Sequence, residues 1–292
     1  MNNLIGNYEI ILENLKRTCG DIKSHGQVRK PKLGNMELVA LNLTSEYMSI
    51  NTELQLFRAI KGTYLEGRIE RSVYNKRRRR LFDYMEAIRK RLSGAFAQFT
   101  DVFVLDSMPT PICRYARAGR SGICATYAIQ PSYGYCASQK SRYYGYKLHA
   151  VCDGNGVFHS FDLTPAHVHD VNYLKDVGYN LSNCTLIGDR GYISAEYRAD
   201  LFTSSNIQLS VPMRKNQQGY VGFPRAKGRT RKRIETNFSQ LNGQFAWATN
   251  HAKSFLGLGT RLLSKITSFT MVQYLNVFVF NRPINKIKVN LI

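Results

Sequence analysis

Val102-Phe103-Val104-Leu105-Asp106-Ser107 and its later counterpart Cys184-Thr185-Leu186-Ile187-Gly188-Asp189 decide the architecture. Both are short apolar runs closed by turn formers, Pro109-Thr110-Pro111 after the first and Gly191 after the second. That pattern predicts two buried strands rather than helix segments. Each run ends in an aspartate, a poor residue for the end of an apolar strand unless something offsets its desolvation. In open α/β sheets the carboxyl ends of the strands form the edge where sites assemble. Asp106 and Asp189 are therefore the first candidates for a site.

Around these runs the pattern is that of an α/β domain. Tyr146–Cys152 and Val157–Leu163 flank Asp153-Gly154-Asn155-Gly156 and predict a hairpin. Asp170 reads as the N-cap of a helix through Tyr173 and Leu174. A helix is expected around Ser194–Phe202, a strand at Ile207–Val211, and helices carrying Ile234, Phe238, Leu241 and Phe245 and then Ile266, Met271 and Tyr274. Residues 113–145, rich in Gly, Tyr, Arg and Ser, read as a long loop. The first hundred residues read as helices, with Ile10, Ile11, Leu12 and Leu15 at helical spacing. Leu81, Met85, Ile88 and Leu92 form one stripe of a single helix spanning Ser72–Leu92. The expected organisation is a small all-helical domain at 1–98 followed by an α/β domain with a mixed sheet at 99–292.

Charge narrows the function. The chain of 292 residues carries 41 Lys and Arg against 20 Asp and Glu, a net +21. Such an excess argues against an ordinary metabolic enzyme and for a polyanionic partner, nucleic acid before membrane. The charge is uneven: +8 over residues 1–100, zero over 101–200 and +13 over 201–292. A basic body around an Asp-rich centre suits a DNA-binding protein with a carboxylate site. The run Lys76-Arg77-Arg78-Arg79-Arg80 places positive charge on a helix, where phosphate contact is expected. No window of 18 apolar residues suggests a membrane span. The opening segment lacks the layout of a signal peptide, so a cytosolic chain is expected. Six cysteines without a CxxC pair point to free thiols rather than a disulfide framework or a zinc site.

Glu235 is the sole acid after Asp200, and it follows Arg225, Lys227, Arg229, Arg231, Lys232 and Arg233. On its helix it sits about 100° from Ile234, beside the apolar stripe, and so can face a sheet edge. The plainer reading is an ion pair with Arg231 one turn earlier. A third carboxylate near Asp106 and Asp189 would make a hard oxygen site suited to Mg²⁺.

The stretches VLDSMP (104–109), YYGYKLHAVCD (143–153), FDLTPAHVHDV (161–171), TLIGDRGY (185–192) and RKRIETNFSQL (231–241) together resemble bacterial insertion-sequence transposases with an Asp-Asp-Glu triad, of the insertion-sequence-982 type. The resemblance implies a ribonuclease-H-like fold, with Asp106, Asp189 and Glu235 as catalytic and metal-binding carboxylates. It implies two Mg²⁺ ions, with Mn²⁺ as substitute, and phosphoryl transfer on double-stranded DNA. Hydrolysis at the element ends would be followed by attack of their 3′-hydroxyls on target DNA, by a homodimer or larger assembly. A bacterial, nucleoid-associated location follows from the same resemblance. Related transposases carry a Tyr seven residues before the Glu, an Arg four before and a Lys seven after. Here these positions hold Gly228, Arg231 and Asn242, so only Arg231 inherits a role, clamping a phosphate. Arg77, Arg78, Arg79, Arg80 and Lys147 are the further DNA-contact candidates.

Two other readings stay open at this point. A nuclease or resolvase on the same fold would share the triad without strand transfer. His167-Val168-His169 resembles the metal pair of phosphotyrosine nickases, but it is expected in a loop, not on the central strand that chemistry needs. Tyr133, Tyr135, Tyr143, Tyr144 and Tyr146, interleaved with Lys140, Arg142 and Lys147, either grip a DNA end or pack on their own body.

Overall fold

The computed structural model describes residues 3–24, 26, 29–96, 101–288 and 291. The chain divides into two compact units, Met1–Ala95 with Gln240–Ile292, and Phe96–Ser239. The expected boundary between residues 98 and 99 lies outside the described residues.

The first unit is helical. It contains α1 (Leu4–Cys19), α2 (Asn35–Tyr47), α3 (Glu53–Ala59), α4 (Arg71–Arg80) and α5 (Phe82–Gly94). The helix expected over Ser72–Leu92 is two helices, parted at Leu81, whose φ of −91° and ψ of 17° leave the helical range. The predicted stripe nevertheless holds, because Leu81, Met85, Ile88 and Leu92 are all buried.

The second unit carries the sheet, in the order β1 (Val102–Cys113), β2 (Ser132–Cys136), β3 (Ser141–Asp153), β4 (Phe158–Pro165), α6 (Leu174–Val177), β5 (Cys184–Ile187), α7 (Ala195–Ser205) and β6 (Ile207–Ser210). The expected loop at 113–145 therefore contains a strand and the start of another, where alternating Tyr residues favour the pleated chain. β1 is central. It pairs antiparallel with β3 on one side and parallel with β5 on the other, and β6 continues beyond β5. β3 is long enough to carry β2 and β4 end to end along its far edge. Three strands in antiparallel sequence followed by two parallel to the first is the ribonuclease-H-like arrangement.

Local chemistry fixes the connections. Asp153 Oδ1 accepts the N–H groups of Asn155 and Val157, and Gly156 takes φ +91°, which closes the β3–β4 hairpin. Ser194 caps α7 by accepting from Tyr197 N, and Asn206 ends it in the left-handed conformation. One face of the sheet is covered by Tyr173, Leu174, Val177, Tyr192 and Leu201, packed on Phe103, Leu105, Val151, Leu186 and Leu209. On the other face lies α8 (Arg225–Gln244), where Phe238 stacks on Phe158 and Asn237 Nδ2 donates to Gly156 O at 2.7 Å.

The second break between units falls within α8, between Ser239 and Gln240. Residues 240–292, expected with the sheet, group instead with the amino-terminal helices. The reason is α9 (Phe255–Phe278), which is buried around nearly its whole circumference and packs against α2 and α5. A helix buried on all sides needs helices around it rather than one sheet face. Its polar residues find partners there: Asn42 Nδ2 donates to Ser264 Oγ, and Lys265 Nζ lies 2.8 Å from Glu46 Oε2. Among the described residues no helix is long and apolar enough to cross a membrane.

Candidate active site

The register of the parallel ladder brings the two aspartates together. Val104 pairs with Ile187 as the last parallel partners of β1 and β5. Asp106 and Asp189 each stand two residues further on, at the carboxyl edge of that ladder. β1 itself does not stop there, as the sequence suggested. It runs on to Cys113 against β3, so Asp106 lies within a strand and opposite Ala150. Alternation along β1 sets Asp106 on the face away from Phe103 and Leu105, the face that α8 covers.

Helix α8 delivers the third acid and a base. Arg231 Nη2 lies 2.6 Å from Glu235 Oε1, and Arg231 Nη1 lies 3.5 Å from Asp106 Oδ2. Glu235 is the ion-pair partner of Arg231, and its charge also raises the carboxyls of Asp106 and Asp189. The Glu235 side chain is 47% exposed, against 18% for Asp106.

The electrostatics record the crowding. Burial pushes the Asp106 carboxyl up to about 7, aided by the like charges of Asp189 and Glu235 and opposed by the Ser107 N–H and Arg231. Burial also raises Asp189, with Asp170 and Glu235 adding to it, while the Gly191 N–H and Arg231 pull it back. A single guanidinium thus leaves three converging carboxylates short of positive charge. Among the described residues no group of three His, Cys, Asp or Glu is placed so that it could hold a metal ion. The donor chemistry nevertheless fits a hard divalent cation, since burial and mutual repulsion are the two penalties that such an ion relieves.

Asp170 does not cap a helix. It opens a short 3₁₀ turn without a side-chain cap, and its Oδ1 instead accepts from Lys147 Nζ at 2.8 Å. Lys147 also donates to Val168 O, so this residue, expected on DNA, is bound within the fold. A Cβ placed on Gly191 would stand 2.9 Å from Asp189 Oδ1 and 3.4 Å from Asp170 Oδ2, so a side chain there would push the Asp189 carboxylate aside. Sequence reading missed the Lys147–Asp170 pair. The available signal was alternation on β3, which puts Tyr143, Lys147 and His149 on one face. His149 is buried, stacked on Tyr173 and hydrogen-bonded to Thr164, and burial lowers it to about 4. His167 and His169 lie in the loop after β4, away from a central strand.

The arginine run is also split. Arg78 is buried, with Nη2 2.7 Å from Glu53 Oε1 and its guanidinium over the Tyr74 ring, so it is a core residue and not a DNA-contact candidate. Arg77 donates to Asn35 Oδ1 and is half-buried. Arg79 is half-buried and Arg80 exposed.

A family model described as the Transposase DDE domain matches residues 97–271, more than half of the chain. The chain belongs to that family. Its reaction is DNA transposition, and the ladder edge bearing Asp106 and Asp189 lies within the matched stretch. No curated protein matches the chain significantly. Two solved structures are similar to this transposase-family chain at low levels. One is the Mos1 transposase paired-end complex with left transposon end, at 13% identity over 87% of this chain and 82% of that one, with a TM-score of 0.23. The other is the Mos1 mariner paired end complex with Mn, at 12% identity over 90% and 86%, with a TM-score of 0.22. The fold assignment rests on strand order, not on these likenesses.

Proposed function

We propose that this chain is an insertion-sequence transposase of the insertion-sequence-982 type, with Asp106, Asp189 and Glu235 as its catalytic carboxylates. It binds the double-stranded ends of its element as a homodimer or larger assembly, nicks them hydrolytically and joins the 3′-hydroxyl ends to target DNA. The observation that carries this reading is the equal offset of Asp106 and Asp189 beyond the last parallel pair, with Glu235 brought to them by α8.

The chain's own groups divide the work. Asp106 and Asp189 offer hard anionic oxygens side by side, and Glu235 offers a third. These three residues would hold Mg²⁺, with Mn²⁺ as substitute, and two such ions supply activation of the attacking hydroxyl and stabilisation of the leaving oxygen. Arg231 keeps Asp106 and Glu235 at one place and is the cation nearest an incoming phosphate. Asp170, held by Lys147, walls the turn that follows Asp189. Ser107 and Gly191 N–H groups fix one oxygen of each aspartate and so set its direction.

The test uses a labelled DNA end from the region flanking the coding sequence, with strand cleavage, strand joining and DNA retention measured separately. Asp106→Asn and Asp189→Asn should each lose cleavage in Mg²⁺ and keep DNA retention. Cleavage that survives Asp106→Asn would overturn the assignment. Cleavage without any joined product would favour a nuclease or resolvase on the same fold.

A further inference from the structure

We propose that the outer face of the β2–β3 ribbon is a stacking platform for unpaired bases of a DNA strand that leads to the carboxylate site. The inference rests on the reading of Asp106 as part of a DNA-cutting centre.

The ribbon has two unlike faces. Tyr133 pairs with Tyr144 and Tyr135 with Arg142, and alternation puts these four side chains on one side. Gly134 and its partner Tyr143 belong to the other side. That inner side is sealed: Tyr143 is buried, and a Cβ on Gly134 would stand 2.7 Å from Ala166 Cβ and 2.9 Å from Tyr143 Cζ. The outer side is open. Tyr133 is 52% exposed and Tyr135 61%. Tyr115 is also exposed and meets Tyr133 edge-on at 5.7 Å, while Tyr133 and Tyr144 lie 5.0 Å apart at a tilt of 53°. The rings touch one another and still face water. Clustered apolar surface of this kind marks a contact site.

Charge identifies the occupant. Between Asp106 and Asp153 the sequence holds Arg114, Arg117, Arg120, Lys140 and Arg142 besides Lys147, which Asp170 already pairs, and no acidic residue. Arg142 lies on the aromatic face itself. A surface that joins exposed π-faces to cations is complementary to a polyanion that also offers flat rings. Paired duplex hides its base faces within the stack. A single-stranded segment exposes them, and every base has such a face, so the platform grips without reading sequence.

Register gives the spacing. Asp106 lies opposite Ala150, and Tyr144 precedes Ala150 by six residues on β3, on the same face of that strand. Six residues at about 3.4 Å each make about 20 Å. That length corresponds to about six nucleotides where the intervening strand keeps the base-stacked rise of duplex DNA, about 3.4 Å. The stacked bases therefore belong about six nucleotides from the phosphate at Asp106.

The test uses the full chain and two oligonucleotide designs, one fully paired and one with a single-stranded tail. The tail carries 2-aminopurine about six nucleotides from the cut. Binding is read by fluorescence quenching without divalent ions, and cleavage is read on the same DNA in Mg²⁺. Tyr133→Ala with Tyr135→Ala should abolish the quench and weaken tailed-DNA binding about 10-fold or more, leaving duplex binding within twofold. Tyr133→Phe with Tyr135→Phe should keep both, since the ring and not the hydroxyl stacks. The salt slope should stay unchanged in the Ala variant and fall by about 0.7 on the tail in Arg142→Ala. Should the double Ala variant fail to fold by circular dichroism, Tyr135→Ala alone, at the most exposed ring of the ribbon, should lose about 5-fold. Wild-type quench and affinity in the folded Ala variant would overturn the platform, as would equal losses on tailed and paired DNA. A wild type that quenches but never cuts keeps the platform and removes the carboxylate reading; one that cuts without quenching does the reverse.

Discussion

Arg231 and Glu235 form an ion pair of 2.6 Å one turn apart on α8, and the other nitrogen of the same guanidinium fork reaches 3.5 Å to Asp106. An i,i+4 pair on an open helix face stabilises by only about 0.3–0.5 kcal/mol. Its significance here is positional, because it holds an acid that would otherwise swing in water beside two half-buried aspartates. Glu235→Gln should therefore cost little stability and abolish strand cleavage in Mg²⁺, with DNA retention equal or tighter because a negative charge beside phosphates is gone. A gel assay of cleavage and retention on one labelled end checks it. Near-normal cleavage would return Glu235 to a surface ion pair.

Asp106 predicts a pH dependence whose sign is fixed. Its carboxyl is raised to about 7 by burial and by its acidic neighbours, so the folded chain holds a proton that the unfolded chain releases near pH 4. Between about pH 4 and 7 the native state binds more protons, and stability falls as pH rises through that window. Asp189, also raised, contributes with the same sign. Thermal melts in chelator should show a lower midpoint at pH 7.5 than at pH 5, and Asp106→Asn should shrink the difference. Mg²⁺ should recover stability at pH 7.5 more than at pH 5, since it competes with protons for the same oxygens.

The pair between Lys147 and Asp170 should behave as scaffolding. Lys147→Ala leaves Asp170 without its ion-pair partner beside the raised carboxyl of Asp189. A cost of about 1.5–3 kcal/mol in urea unfolding is expected, the range for a hydrogen bond to a charged group. Cleavage should slow while DNA retention at fixed salt stays within a few-fold. A large loss of retention with unchanged stability would make Lys147 a DNA contact after all.

The arginine run should separate by position. Arg78→Ala removes a buried guanidinium from Glu53, whose side chain is 24% exposed, and should destabilise the helical unit by about 2 kcal/mol. Arg80→Ala, on an exposed side chain, should leave the melting temperature alone. If Arg80 meets a phosphate, its loss should flatten the dependence of log K on log salt by about 0.9. Equal stability losses in both variants would contradict the buried placement of Arg78.

The sequence by itself marked the buried strand cores at Val102–Leu105 and Cys184–Ile187 and the aspartates beside them, but neither β2 nor the run of β1 on to Cys113. Val102–Leu105 and Cys184–Ile187 are too short and too apolar for surface helices, and an aspartate beside each needs a reason to be there. The hairpin about Asp153–Gly156 and the helix around Ser194–Phe202 were equally legible, because local hydrogen bonds within a few residues decide them. Tertiary structure alone decided the rest. That Asp106 and Asp189 share one edge follows from the pairing of Val104 with Ile187, a contact across eighty-odd residues that no local pattern encodes. The assignment of α9 to the helical unit, the burial of Arg78 on Glu53 and the capture of Asp170 by Lys147 are of the same kind. Charge and propensity are properties of a residue, and a sequence lists them. Whether a charge meets water, a partner or another charge of its own sign is a property of packing, and packing is what sets the carboxyl of Asp106 at about 7 rather than near 4.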